Sequence, residues 1–252
     1  MPEPDVMSGA AAWSSPGGPH GALVLHGFTG NPQSMRGLAE AFARAGFTVE
    51  LPRLPGHGTT VDDMITTGWA DWTAAAETAY QDLAARCEQV VVAGLSMGGS
   101  LTLRLAARHP EIAGIVCINP AVVAQPAEVL DMVRGMLAEG EDRLPGGASD
   151  IADPDVVGNA YPQTPLGPLV SFMEGLDALQ PDLGRITSPL LLMTSPNDHV
   201  VPPTDSDALA AAVSGPVERV ILERSYHVAT LDYDRELVAE HAVAFARKTT
   251  AA

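Results

Sequence analysis

Residues 94–98 read Gly94-Leu95-Ser96-Met97-Gly98. A serine hydroxyl becomes a strong nucleophile only when a base takes its proton and the backbone holds its oxygen clear of neighbouring groups. This pentapeptide follows the apolar β-branched run Val90 to Ala93 and precedes a helical stretch from Ser100 to Arg108. Strand, sharp turn and helix in that order form the setting of a nucleophile elbow. The turn brings backbone so close to the serine that only glycine fits on either side, which accounts for Gly94 and Gly98. The helix N-terminus beyond Ser96 favours a developing negative charge. An ordinary glycine-rich turn between strand and helix gives the same pattern. Whether an acid and a base follow at the right positions decides between the two.

The acid is expected after a later strand. Leu190 to Met193 reads as that strand, and Asp198 lies in the turn just beyond it. A turn-forming aspartate is the plain alternative. The base is expected after the last strand. Val217 to Leu222 supplies that strand, and His227 is the histidine at that position. His227 would take the Ser96 proton and later return it to the leaving group, with Asp198 fixing the imidazole tautomer. Activity should then rise with pH as His227 loses its proton, because only neutral imidazole acts as a base.

A fourth element follows the first core strand, His26-Gly27-Phe28-Thr29-Gly30. The backbone amides of Phe28 and Met97 are the expected oxyanion donors, with Gly27 allowing the tight turn. His26 reads as a structural hydrogen bonder, and Pro55-Gly56-His57-Gly58 as a scaffold loop. Phe28, Met97, Val122, Val123, Leu130, Met136, Leu169, Val170, Met173 and Val200 are candidate wall residues for an apolar substrate pocket. Methionine suits such a wall because it adapts to variable shapes.

The elements that must position these groups alternate along the chain. Strands are read at Ala22–Leu25, Phe47–Leu51, Val90–Ala93, Ile112–Ile118, Leu190–Thr194 and Val217–Leu222. Helices are read at Gln33–Ala45, Trp69–Cys87, after Ser96, Thr204–Val213 and Tyr233–Arg247. Such alternation implies an α/β fold, a mostly parallel sheet of about six core strands flanked by helices. Too little chain precedes His26 for an additional opening hairpin. Residues 1–20 are rich in Pro, Gly, Ser and Ala and should be extended or mobile. Residues 119–181 break the rhythm, with amphipathic pieces at Val129–Leu137 and Pro168–Leu179 and no clear strand. Lying between core strands, this stretch should emerge at their carboxyl ends, where ligands bind, as a small cap over the site. A merely structural helical insertion is the alternative. The whole, 1–252, reads as a single domain.

Composition narrows the function classes. Hydrophobic residues make up 46% and the net charge is −17, which argues for a globular protein and against nucleic-acid or anionic-membrane partners. The acidity favours a neutral over an anionic small-molecule substrate. Cys87 and Cys117 fit neither a metal site nor a redox pair and should be reduced and structural. Met1 to His20 has neither a basic region nor an apolar run, so no signal peptide, no membrane insertion and a cytoplasmic location are expected. No metal or cofactor is implied, and no signal for oligomeric state is present.

Five segments together carry a wider likeness. Leu25 to Pro32, Leu51 to Gly58, Gly94 to Gly99, Asp198 to Pro203 and Ser225 to Asp232 resemble, in order, the thermostable bacterial monoacylglycerol lipases and related small carboxylesterases of the α/β-hydrolase fold. The likeness covers nearly the whole core. It implies that Ser96, Asp198 and His227 form a triad and that the Phe28 and Met97 amides form the oxyanion hole. It implies hydrolysis of short- to medium-chain acyl esters, monoacylglycerols included, through an acyl-enzyme. One departure lies in the cap. Where those lipases hold glycerol hydroxyls with an acidic residue, this chain has Gly158, with the neutral Asn159 beside it as the polar substrate-binding candidate. A carboxylesterase therefore ranks first and a monoacylglycerol lipase second. Ser96 excludes mechanisms that need a carboxylate nucleophile. Carbon–carbon bond hydrolases with the same triad stay open, as does a non-catalytic ligand-binding protein.

Overall fold

The computed structural model describes residues 4–146 and 149–251. Residues 1–3 of the N-terminal segment, 147–148 of the insertion and residue 252 lie outside the described residues. The strands are β1 (Trp13–Ser15), β2 (His20–Leu25), β3 (Thr48–Leu51), β4 (Gln89–Leu95), β5 (Gly114–Ile118), β6 (Arg143–Pro145), β7 (Gln163–Pro165), β8 (Leu190–Thr194) and β9 (Val217–Ile221). The helices are α1 (Arg36–Arg44), α2 (Val61–Ile65), α3 (Trp69–Ala84), α4 (Met97–Arg108), α5 (Ala127–Ala138), α6 (Leu166–Leu179), α7 (Thr204–Ala212) and α8 (Arg235–Thr250).

Seven strands form one sheet in the order β1-β3-β2-β4-β5-β8-β9. The six expected strands are parallel to one another. The seventh, β1, pairs antiparallel with β3, Trp13 opposite Leu51. Three residues suffice for it, fewer than a sequence pattern can reveal. The interior strands read as unbroken apolar runs because both faces are covered. Along β4, Val90 and Val92 pack into one core with α3 and α4, and Val91 and Ala93 into the other with α1 and α8. Cys117 is buried in β5, and both cysteines are free.

The chain leaves β2 for one side of the sheet (β3) and leaves β4 for the other (β5). The switch point between β2 and β4 is where open α/β sheets bind ligands. Register places Leu25 beside Gly94, Leu95 beside Ile118 and Ile118 beside Met193. The loops after β2, β4, β5, β8 and β9 therefore leave the sheet at one rim.

The 119–181 stretch contributes α5 and α6, as expected, and a short antiparallel ribbon of β6 and β7, which was not expected. Proline at 145 and at 165 masks that ribbon in the sequence; the pairing is only three residues long.

Candidate active site

Ser96 sits between β4 and α4 with φ 55° and ψ −119°, a conformation that non-glycine residues hold only under strain. A Cβ on Gly94 would lie 2.1 Å from the Gly98 carbonyl oxygen, and one on Gly98 would lie 2.2 Å from that of Leu25. Both glycines are required by close backbone approach. The Ser96 amide donates to Ile118 O at 3.0 Å, tying the elbow to β5.

Asp198 follows β8 and His227 follows β9. The His227 Nδ1–H donates to Asp198 Oδ2 at 2.7 Å. Asp198 Oδ1 accepts from the amides of Val200 and Val201, each at 2.8 Å. One carboxylate oxygen thus fixes its own turn while the other orients the imidazole. Ser96 and His227 line the same cavity, and both are buried.

The turn after β2 brings Gly27 against Ser96. A Cβ on Gly27 would lie 3.3 Å from Leu95 O and from Ser96 Cβ. Crowding, rather than a left-handed φ, explains that glycine; the left-handed residue of the turn is Thr29, φ 58°. Among the described residues the Phe28 amide donates to no protein acceptor. Met97 begins α4, so its amide has no intrahelical partner. Both amides are thus available to an oxyanion. The Gly27 carbonyl, in the same peptide as the Phe28 amide, accepts from Gly30 N at 3.2 Å and His26 Nδ1 at 3.0 Å.

His26 and His57 lie fully buried beneath this turn, ring centroids 5.0 Å apart. His26 Nε2 accepts from Leu54 N, and His57 Nδ1–H donates to Pro55 O. Burial, reinforced by the neighbouring His57 ring, pushes the His26 pKa down to about 3. Burial likewise pushes His57 down to about 4. Both rings are neutral scaffold.

The cavity has a volume of about 470 Å³, within the usual range for small-molecule sites. Phe28, Val123, Asn159, Leu169, Met173 and Val200 line it, as expected. Five expected wall residues do not. Met97 and Val122 point their side chains into the main core. Leu130 and Met136 belong to α5, which packs on α6 and not over the cavity. Val170 lies off the inward face of α6, whose lining residues are Leu169, Phe172, Met173 and Leu176. That i, i+3, i+4, i+7 spacing was the signal for Phe172 and Leu176. Phe172 stacks on Phe28, centroids 5.8 Å apart, joining α6 to the turn after β2.

Polar side chains also line the cavity, among them Thr29, Gln33, Ser149, Asp150, Asn159 and Thr164. Asn159 donates to Ser8 O, and its own carbonyl accepts from Asn31 Nδ2. A Cβ on Gly158 would meet Ser149 Oγ at 1.9 Å. The Ser149 hydroxyl therefore occupies the space a side chain at 158 would take.

Two further polar groups went unnoticed in the sequence. Asn119, at φ 43°, donates from Nδ2 to His227 O and Ser195 Oγ, both at 2.9 Å, and accepts from Ser195 N at 2.8 Å. It links the loop after β5 to the loops after β8 and β9. Asp150 reaches the same loops from the 119–181 stretch. Partial burial pushes its carboxyl up, but hydrogen bonds from the amide and ring of His199 and the amide of His227 outweigh that and leave it below the usual carboxylate range. Among the described residues no group of three or more His, Cys, Asp or Glu side chains is placed to hold a metal ion. No helix among them is long and apolar enough to cross a membrane.

The model of the alpha/beta hydrolase family matches residues 22–241. The chain belongs to the α/β hydrolase family. Within it, the chain is 45% identical to a thermostable monoacylglycerol lipase of Bacillus sp. (strain H-257), across 96% of each protein. It is 28% identical to a carboxylesterase of Bacillus subtilis (strain 168), across 92% of this chain and 94% of that one. A solved structure described as one of two metagenome-derived lipolytic enzymes superposes with a TM-score of 0.92 at 43% identity, covering 97% of this chain and all of the other.

Proposed function

We propose that this hydrolase cleaves carboxylic esters through an acyl-enzyme, with Ser96 as nucleophile, His227 as general base and acid, Asp198 as the carboxylate that orients His227, and the Phe28 and Met97 amides as oxyanion donors. The observation that carries the reading is the 2.7 Å bond from His227 to Asp198 at the rim of a cavity that also holds Ser96 on its strained turn. His227 takes the Ser96 proton as Oγ attacks the acyl carbon. The tetrahedral oxyanion forms between the two amides, His227 protonates the departing alcohol, and water repeats the cycle to release the acid.

The cavity suggests how the two halves of the ester lie. Phe28, Leu169, Phe172, Met173 and Leu176 give the acyl chain an apolar wall. The hydroxyls and amides of Thr29, Gln33, Ser149 and Asn159 suit a polar alcohol. We place short- to medium-chain esters as the substrate class and monoacylglycerols within it, glycerol being held by neutral groups with Ser149 in the space beside Gly158. A single domain with 119–181 as its cap fits this division.

Initial rates on 1- and 2-monoacylglycerols against simple esters of matched acyl length, with Ser96→Ala as blank, test the reading. We expect ester hydrolysis that disappears in Ser96→Ala. Preference for glycerol esters supports recognition of the alcohol by these neutral side chains. Equal rates make the protein a general carboxylesterase. Activity surviving in Ser96→Ala would sink the serine mechanism.

A further inference from the structure

The cap residue Asp150 is remote in sequence from every catalytic group, yet it touches two of the three loops that carry them. Its Oδ2 accepts from the backbone amides of both His199 and His227, each at 3.1 Å. Its Oδ1 faces His199 Nδ1 at 2.9 Å, and its backbone carbonyl accepts from Val228 N at 3.0 Å. One carboxylate oxygen therefore spans the residue that follows the catalytic acid and the catalytic base itself. The lacing runs the other way as well. Asp232, in the base loop, accepts from the cap amides of Ala152 at 2.7 Å and Asp153 at 3.1 Å, and from Tyr226 N at 2.9 Å.

The bond to Asp198 turns the His227 imidazole but does not by itself place the His227 backbone, which lies in a loop beyond the last strand. Asn119 holds the carbonyl side of His227. The amide side is held by Asp150. We propose that Asp150 is a positioning residue for catalysis: supplied by the cap, its carboxylate holds the acid and base loops at the spacing that brings His227 to Ser96. This rests on the serine-hydrolase reading above. The cap then completes the catalytic geometry as well as forming the pocket wall. A displacement of about 1 Å in a reacting group lowers a rate on the order of 100-fold, which sets the scale of the effect.

The test uses Asp150→Ala, Asp150→Asn and Asp150→Glu in the full chain, with Ser96→Ala alongside. Two esters share an acyl group and differ in alcohol, one a p-nitrophenyl ester and one a 1-monoacylglycerol. The rate of inactivation by an alkyl phosphonate is read as well. Asp150→Ala is expected to lower kcat about 10- to 100-fold on both esters, leave KM nearly unmoved and slow phosphonate inactivation by the same factor. Asn keeps an oxygen for the two amides and should recover most of that loss. Glu moves the carboxylate by one methylene and should not. If the alanine variant fails to fold, the contrast between Asn and Glu at native thermal midpoint carries the test. Unchanged kcat in Asp150→Ala, a rise in KM confined to one alcohol, or equal rates in Asn and Glu overturns the inference. With Ser96→Ala inactive, such a result removes the role of Asp150 alone. Activity in Ser96→Ala removes the underlying reading, and this inference with it.

Discussion

Ser96 holds a left-handed φ of 55° only because two glycines let backbone close around it. An alanine at 98 would set its Cβ 2.2 Å from Leu25 O. Forcing that atom in means moving the elbow, at about 1–3 kcal/mol or more. Gly98→Ala is therefore expected to lower the thermal midpoint by about 2–4 °C per kcal/mol, with a far larger relative loss of ester hydrolysis. Calorimetry and initial rates on one preparation check both. Native activity would show that the turn tolerates a side chain. Asn119 makes a different demand. It is 3% exposed and satisfies backbone groups of the loops after β8 and β9, so Asn119→Ala strands buried polar groups at about 1–3 kcal/mol each. We expect a fall in kcat with little change in KM, read from saturation curves on a soluble ester. An unaltered kcat would confine Asn119 to a structural role.

At the scale of elements, α6 is a helix that lines the cavity. Leu169, Phe172, Met173 and Leu176 recur at helical spacing on its inner face and meet Phe28 across the cavity. Phe172 and Leu176 are also buried in the core, so enlarging them would disturb packing. Met173 is partly exposed and lines the cavity. Met173→Trp is expected to reduce kcat/KM for longer acyl chains well below that for acetate, with the thermal midpoint nearly unchanged. A chain-length series of p-nitrophenyl esters measures it, and a uniform loss at every length would place the acyl chain elsewhere. Tyr161 fastens the cap beside this helix, its hydroxyl donating to Gly56 O and accepting from Thr59 N, both at 2.8 Å.

For the molecule as a whole, the paired histidines under the oxyanion turn link stability to pH. Both have pKa values in the fold below the ordinary value of 6.5, about 3 for His26 and about 4 for His57, mainly through burial. The unfolded chain takes up their protons first on acidification, so protonation favours unfolding. Their contribution to stability is full above pH 6.5 and is lost as pH falls through that value toward about 4 and about 3. Urea midpoints measured from pH 7.5 downward should fall across this window, and His57→Gln should flatten the fall. An identical slope in that variant would mean that His57 is not buried neutral.

What sequence alone determined was whatever the order of elements fixes. Ser96, Asp198 and His227 each stand in a loop that follows the carboxyl end of a parallel strand. Parallel strands bring such loops to one rim whatever lies between them, so the shared placement of these three residues was legible together with the six parallel strands. Glycine at 94 and 98 announced close approach because no side chain fits there. Tertiary structure alone decided contacts between segments far apart in the chain. Asp150 meets the His227 amide from 77 residues away, and Asn119 meets the His227 carbonyl from 108. Neither residue has a local pattern, since a carboxylate or amide that accepts from a distant backbone looks in sequence like any polar loop residue. The three-residue strand β1 was hidden for a related reason: its pairing depends on the edge that β3 offers. Which apolar cap residues line the cavity was also settled in three dimensions. Burial against α6 and burial against a substrate demand the same side chains, and only the direction each helix face takes separates them.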